Sequence, residues 1–185
     1  MLLHGWGADA EDLLSIGKEI CREVLPPLEI LSFRAPHLHP QGEGRQWYGL
    51  FPANWSEVPS AINSLTTRLR ELDDSKIPLK KTFLLGFSQG GAMAIACGSE
   101  LPLAGLIGCS AYRHPDWIGS AYRPPVMLIH GRQDEIVPFA AAKELREYLR
   151  QSSKQEVELF AFEGGHYIPL EMINRIQLKI LNWLG

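Results

Sequence analysis

The segment Thr82-Phe83-Leu84-Leu85-Gly86-Phe87-Ser88-Gln89-Gly90-Gly91 limits the fold of this chain more than any other. An apolar strand runs into Gly-x-Ser-x-Gly, and a small-residue run suited to a tightly packed helix, Ala92-Met93-Ala94-Ile95-Ala96, follows at once. A strand that turns this sharply into a helix lifts the serine hydroxyl above a parallel sheet. Glycines flank the turn because a Cβ there would collide with neighbouring backbone. Glycine and serine also cluster in ordinary turns; the strand before Ser88 and the helix after it make this one specific. The helix start leaves backbone N–H groups unpaired at a positive dipole end. The N–H of Gln89 can therefore face an oxyanion formed on a group that Ser88 attacks.

The rest of the chain alternates short β-rich apolar runs with helical patterns, which argues for an α/β fold with a parallel sheet covered on both faces. Leu2-Leu3-His4 is the first run, ending in Gly5-Trp6-Gly7. A helix is predicted from about Asp9 to Leu25, with Leu13, Gly17, Ile20, Cys21 and Val24 on one face and Pro26-Pro27 as its stop. Glu29 to Phe33 reads as the second strand, and Arg34 to Trp55 as a long irregular loop of the kind that usually carries function. Ser56 is placed as the N-cap of a helix whose apolar stripe is Val58, Ile62, Leu65, Leu69 and Leu72. Strands recur at Thr82–Phe87, Leu103–Ser110, Val126–His130 and Val157–Phe162, and helical patterns at Ala140 to Arg150 and Pro169 to Leu184. About six strands result.

At 185 residues the chain suits one domain, residues 1–185, with a sizeable core. A formal net charge of −3 with mixed signs gives no basic patch, which argues against a nucleic-acid partner. No apolar run reaches membrane-spanning length, and Met1-Leu2-Leu3 lacks the layout of a signal peptide. Cys21, Cys97 and Cys109 are odd in number, widely spaced and set among apolar residues. They read as reduced thiols of a cytoplasmic protein, and none sits in a turn motif suited to a nucleophile. His37 and His39 invite a metal reading, but no third ligand lies near them in the sequence.

A serine hydroxyl needs a base to attack, and the base needs an orienting partner. In parallel α/β sheets such groups sit in loops beyond the carboxyl ends of later strands. The loop after Val126–His130 reads Gly131-Arg132-Gln133-Asp134-Glu135-Ile136-Val137-Pro138, and the loop after Val157–Phe162 reads Glu163-Gly164-Gly165-His166-Tyr167. Either Asp134 or Glu135 can supply a carboxylate, and loop position favours Asp134. His166 can supply the base, its glycines allowing close approach to Ser88. His130, at a strand end, reads as a packed structural histidine. The order serine, acid, histidine is that of α/β-hydrolases.

Five segments together resemble the phospholipase/carboxylesterase family of α/β-hydrolases, which includes the acyl-protein thioesterases. They are Leu3-His4-Gly5-Trp6-Gly7-Ala8-Asp9, Arg45-Gln46-Trp47-Tyr48, Gly86-Phe87-Ser88-Gln89-Gly90-Gly91, His130 through Pro138, and Gly164-Gly165-His166. They span nearly the whole chain in family order. The resemblance implies a Ser88, Asp134, His166 triad and an oxyanion hole from the backbone N–H groups of Trp6 and Gln89. It places Trp47 and Tyr48 near the substrate entrance, where their aromatic bodies would line an acyl groove. The acidic residue that often follows that pair is Gly49 here. Relatives carry further residues, often an edge strand, before the strand that leads into His4-Gly5, so the first strand is expected to be short.

The expected fold is a three-layer α/β-hydrolase without a large cap domain, its first strand lying between Glu29–Phe33 and Thr82–Phe87 and later strands added in order on the far side. The expected activity is hydrolysis of a small or lipid acyl ester or thioester by a monomer or homodimer, without metal or organic cofactor. Dienelactone-hydrolase-like chemistry on a cyclic ester is an alternative that a cysteine in place of Ser88 would favour. A catalytically silent binding protein of the same fold is the other.

Overall fold

A computed structural model describes residues 1–22, 27–74 and 77–185 of the chain. In chain order the elements are β1 (Leu2–Leu3), α1 (Leu14–Cys21), β2 (Ser32–Phe33), β3 (His37–Leu38), β4 (Arg45–Gln46), α2 (Val58–Asp74), β5 (Phe83–Phe87), α3 (Gln89–Gly98), β6 (Gly105–Cys109), β7 (Val126–Gly131), α4 (Phe139–Ser152), β8 (Val157–Phe162) and α5 (Leu170–Leu184). Six strands form one parallel sheet in the order β2-β1-β5-β6-β7-β8, as expected from the sequence. The crossover helices cover both faces, which gives the three layers of an α/β-hydrolase.

Alternation along the buried strands splits the core in two. Leu3, Leu84, Leu106 and Leu128 point to one face and pack with Leu65, Leu69, Met93 and Leu145 of α2, α3 and α4. Leu2, Leu85, Ile107 and Met127 point to the other and pack with Ile20 of α1 and Ile173, Ile176 and Ile180 of α5. Strands covered on both faces read as continuous apolar runs, which is why β5, β6 and β7 stand out in the sequence.

Three local expectations differ from the structure. Helix α1 begins at Leu14 and not near Asp9. The acidic residues ahead of it hold turns instead: Asp9 Oδ1 accepts from the Ala10 N–H (2.6 Å), and Asp12 accepts from the Asp9 N–H (2.5 Å). Asp9 Oδ2 is also engaged by Arg34 (2.6 Å). Short polar side chains compete with a helix in this way. Val24, Leu25 and Pro26 lie outside the described residues.

The Arg34–Trp55 stretch, expected to be irregular, holds an antiparallel hairpin in which His37 pairs with Gln46 and Leu38 with Arg45. Gly44, with φ +72°, is essential to it, since a Cβ there would lie 2.0 Å from the Gly7 carbonyl oxygen. Ser56 does not cap α2. A 3₁₀ turn, Trp55–Glu57, leads into that helix, and the Ser56 hydroxyl donates to Asn54 Oδ1 (2.6 Å). Glu57 organises the turn by accepting from the Gly49 N–H and from Asn54 Nδ2, both at 2.8 Å.

At the opposite end of the sheet from the Ser88 turn, Arg123 is fully buried. Its guanidinium donates to four carbonyls: Pro124 (2.8 Å), Glu156 (3.3 Å), Leu149 (3.0 Å) and Gln155 (2.9 Å). Leu149 belongs to the last turn of α4, whose carbonyls have no helical partners and favour a cation. Arg123 thus ties the end of α4 to the starts of β7 and β8. Arg123→Met should lower unfolding free energy by about 2–4 kcal/mol, because it leaves several buried carbonyls without donors. Arg123→Lys should recover part of that loss, since an ammonium has only three donors. Urea denaturation of both variants checks this; a loss under about 0.5 kcal/mol for Arg123→Met would show that the carbonyls find other donors.

Candidate active site

Ser88 follows β5 directly and adopts φ 54°, ψ −118°, outside the regions that non-glycine residues favour. Neighbouring backbone enforces this conformation. A Cβ on Gly86 would lie 2.0 Å from the Gly90 carbonyl oxygen, and one on Gly90 would lie 2.2 Å from that of Leu3. The Ser88 N–H donates to the Cys109 carbonyl (2.8 Å), and its own carbonyl accepts from the Ala92 N–H (3.0 Å). Every residue of α3 is buried, so the helix has no freedom to carry Ser88 elsewhere.

The turn after β1 lies alongside. A Cβ on Gly5 would sit 3.5 Å from the Ser88 Cβ, so the His4-Gly5-Trp6 backbone borders the hydroxyl. His4 is buried there; its Nε2 accepts from the Ala35 N–H (3.1 Å), so Nδ1 carries the proton and donates to the Gly5 carbonyl (2.8 Å). Trp6 is fixed from outside. Its Nε1 donates to Gln46 Oε1 (2.9 Å), and its ring meets His39 and Phe51 edge-on at 4.0 and 5.0 Å. The hairpin clamps the same turn through the Gly7 N–H to the Arg45 carbonyl (2.9 Å) and the Arg45 N–H to that of Ala8 (2.8 Å). His39 is thus packed against Trp6, while His37 is exposed.

Asp134 and His166, from the loops after β7 and β8, meet at hydrogen-bonding distance: Nδ1 of His166 lies 2.7 Å from Oδ2 of Asp134. The Ser110 hydroxyl also donates to Oδ2 (2.9 Å), and Oδ1 accepts from the N–H groups of Ile136 (3.0 Å) and Val137 (2.8 Å). Burial opposes ionisation of Asp134, but the bonds from His166, Val137 and Ser110 outweigh it and hold its pKa below the usual carboxylate value. Glu135, by contrast, is exposed. The His166 ring packs 4.8 Å from that of Phe87, which places it beside the residue preceding Ser88. His130 is buried behind the carboxylate, where its Nε2 donates to the Val137 carbonyl (2.7 Å).

The aromatic pair is placed differently from the expectation. Trp47 and Tyr48 are 2% and 0% exposed and belong to the core under the loop, so neither lines its surface. Gln89 explains this. Its side-chain Oε1 accepts from the Trp47 N–H (3.0 Å), and its Nε2 donates to the Tyr48 carbonyl (2.8 Å). The Trp47 indole donates to the His4 carbonyl (2.9 Å). Phe51, 63% exposed and edge-on to Trp6, is the more exposed of the loop's two surface aromatics, the other being Trp55; Ile136 and Tyr167 are exposed in the loops that carry Asp134 and His166. Two cavities, of about 240 Å³ beside β1, β2 and β5 and about 370 Å³ beside α2, are lined by none of Ser88, Asp134 or His166. Cys97 and Cys109 are buried, and burial pushes both thiols up to about 12.

This arrangement of strand-end loops has relatives. The model of a family described as Phospholipase/Carboxylesterase matches residues 1–184. The chain belongs to the phospholipase/carboxylesterase family. Within and around it, acyl-protein thioesterase 1 of Yarrowia lipolytica is 30% identical over 137 residues, covering 69% of this chain and 59% of that protein. The chain thus spans less than two thirds of the length of that thioesterase. The crystal structure of esterase PE8 superposes with a TM-score of 0.83 at 28% identity, over 98% of this chain and 90% of the other. Zea mays acyl-protein thioesterase 2 shares the fold, with a TM-score of 0.79 at 17% identity over 100% of this chain and 92% of its own.

Sequence reading passed over Ser110 and the Tyr48–Tyr112–His114 cluster. Ser110 carries the same signal as Asp134, a polar residue just past an apolar strand. In the cluster the Tyr48 hydroxyl lies 2.6 Å from that of Tyr112 and 2.9 Å from His114 Nε2. Burial pushes His114 down to about 4. The unfolded chain therefore takes up a proton near pH 6.5 while the folded one stays neutral, so stability falls as pH drops from about 6.5 to about 4. His4 and His130, lowered first by burial, add to the same window. Asp134, with a depressed folded pKa, loses its contribution only below the ordinary carboxylate range. His114→Gln should flatten the stability loss between pH 6.5 and 4, by up to about 3 kcal/mol at the acid end. Denaturant midpoints measured across that range test it; parallel curves for variant and parent would remove His114 as the cause.

Proposed function

We propose that this protein is a serine esterase that cleaves carboxylic esters or thioesters of apolar acyl groups through an acyl-enzyme. The observation that carries the reading is the bond of 2.7 Å between a buried, ionised Asp134 and His166, whose ring packs against Phe87, the residue before a strained Ser88, all three lying at the carboxyl end of one parallel sheet. Family membership and the likeness to esterase PE8 support the same reaction class.

In this mechanism the Ser88 hydroxyl oxygen attacks the acyl carbonyl carbon while His166 Nε2 takes its proton. Asp134 accepts from His166 Nδ1, fixes the tautomer and stabilises the imidazolium. The N–H groups of Trp6 and Gln89 receive the developing oxyanion, the first from the turn that borders Ser88 and the second from the open N-terminus of α3. His166 then returns the proton to the departing alcohol or thiol, and water repeats the sequence on the acyl-enzyme. Exposed Phe51, Ile136 and Tyr167 offer apolar surface for the acyl chain at an open rim. Among the described residues no helix is long and apolar enough to cross a membrane.

A fluorophosphonate probe should label the protein at Ser88, and Ser88→Ala should abolish both labelling and ester hydrolysis, since loss of the nucleophile typically costs on the order of a million-fold in turnover. Labelling that persists in Ser88→Ala would place the nucleophile elsewhere. Asp134→Asn should cost up to about ten thousand-fold, by analogy with a serine protease. Glu135→Gln should change little, and equal losses from the two would show that the carboxylates had been confused.

Phe51 and Trp47 should separate in an acetate-to-octanoate ester series. Phe51→Ala should penalise octanoate over acetate by about 1–3 kcal/mol, the transfer energy of the contacts removed. Trp47→Ala should lower stability and reduce every ester alike, because the indole supports the loop from below. A flat response to Phe51→Ala would mean that the acyl chain runs elsewhere on the rim.

A further inference from the structure

Ser110 takes no part in the chemistry just described, yet it occupies a costly conformation. It ends β6 with φ +48°, in the left-handed region that glycine adopts freely and a serine does not. It is buried, and its N–H donates to the Ile129 carbonyl (2.8 Å), which locks the backbone in place. A glycine would satisfy that backbone at lower cost, so the value of a serine here must lie in its hydroxyl. Among the described residues that hydroxyl donates to Asp134 Oδ2 at 2.9 Å, the same oxygen that receives His166 Nδ1 at 2.7 Å.

We propose that Ser110 is a positioning residue of the esterase reaction, holding Asp134 Oδ2 in line with His166 and drawing charge from that oxygen so as to set the proton affinity of the imidazole. The inference rests on the Ser88–His166–Asp134 reading. Oδ1 is already fixed by the Ile136 and Val137 N–H groups, so the carboxylate can pivot only about Oδ1 unless Oδ2 is also held. His130 is the other group near Oδ2, at 3.4 Å, but its Nε2 proton points to the Val137 carbonyl at 2.7 Å. Its Nδ1 therefore bears no proton and is buried without a partner, which keeps the ring neutral. The titratable and charged groups around the carboxylate are neutral His130 from β7, His166 from the loop after β8, exposed Glu135 on its own loop, and the exposed Arg132–Glu163 pair at 3.0 Å. None of these changes when Ser110 is replaced, so a shift in the reaction's pH dependence reports the hydroxyl itself.

The sign follows from the donor. A hydroxyl that donates to a carboxylate disperses its negative charge; without it, Oδ2 supports the His166 cation more strongly. Ser110→Ala and Ser110→Gly both delete the hydroxyl, but only glycine relieves the left-handed backbone. The measurement is kcat/KM against pH for an activated acetate ester, with melting temperature and fluorophosphonate labelling on the same samples. Both variants should move the acid midpoint of the profile upward by about half a pH unit or more, by equal amounts, while glycine melts higher than alanine. A half-unit shift reads as a loss approaching about threefold below the midpoint, and the loss shrinks as pH rises. A loss that is uniform across pH with an unchanged midpoint would overturn the positioning role while labelling at Ser88 leaves the esterase reading standing. Failure of the parent protein to label or hydrolyse at all would overturn both.

Discussion

Backbone touching backbone at Gly86, Gly90 and Leu3 is the contact on which the site depends. Close-packed main chain cannot yield to a bulkier residue as a flexible side chain can, so β1, β5 and α3 are locked at a separation that admits no Cβ. Two consequences follow together. Ser88 is forced into its strained turn, and the His4-Gly5-Trp6 backbone is held beside it. The serine and the N–H groups around it are thus arranged by main chain alone, before any polar side chain is considered. Sites organised in this way need little reorganisation when charge develops, which is the physical basis of oxyanion stabilisation.

A second layer of order is electrostatic. Asp134 is buried, which by itself would favour a neutral acid, yet donors from two backbone amides, a hydroxyl and an imidazole surround it. A charge buried with its acceptor sites filled is held in one orientation as well as one ionisation state. The orientation passes to His166, whose other face rests on Phe87.

Much of this was legible in the sequence because it lies in strands buried on both faces and in glycines that cannot be replaced. Leu84, Ile107 and Val126 announce their strands by unbroken apolar runs; Ser88 follows such a run directly, and Asp134 and His166 lie in the loops after β7 and β8. What escaped notice depends on contacts distant in sequence. The β3–β4 hairpin is only two residues long on each side and exists through its bonds to Gly7 and Ala8, which no local pattern shows. Helix α1 starts later than periodicity suggests because Asp9 and Asp12 bind nearby backbone and Asp9 also binds Arg34, partners that periodicity does not reveal. The family resemblance puts Trp47 and Tyr48 near the substrate entrance, but both are buried in the core. Their burial follows from the Gln89 side chain, whose two bonds draw that backbone inward.

That last connection bears on how such a site can diversify. Gln89 holds the loop by its side chain and continues the Ser88 turn by its main chain, so one residue couples two parts that would otherwise vary independently. Exchanging the whole loop for that of another enzyme would leave a buried amide searching for partners. Exchanging only Phe51, which nothing but Trp6 holds among the aromatic contacts, leaves the anchor untouched. A change of rim chemistry is thereby channelled to a single exposed panel of the loop, while the buried hinge between the loop and the Ser88 turn resists substitution.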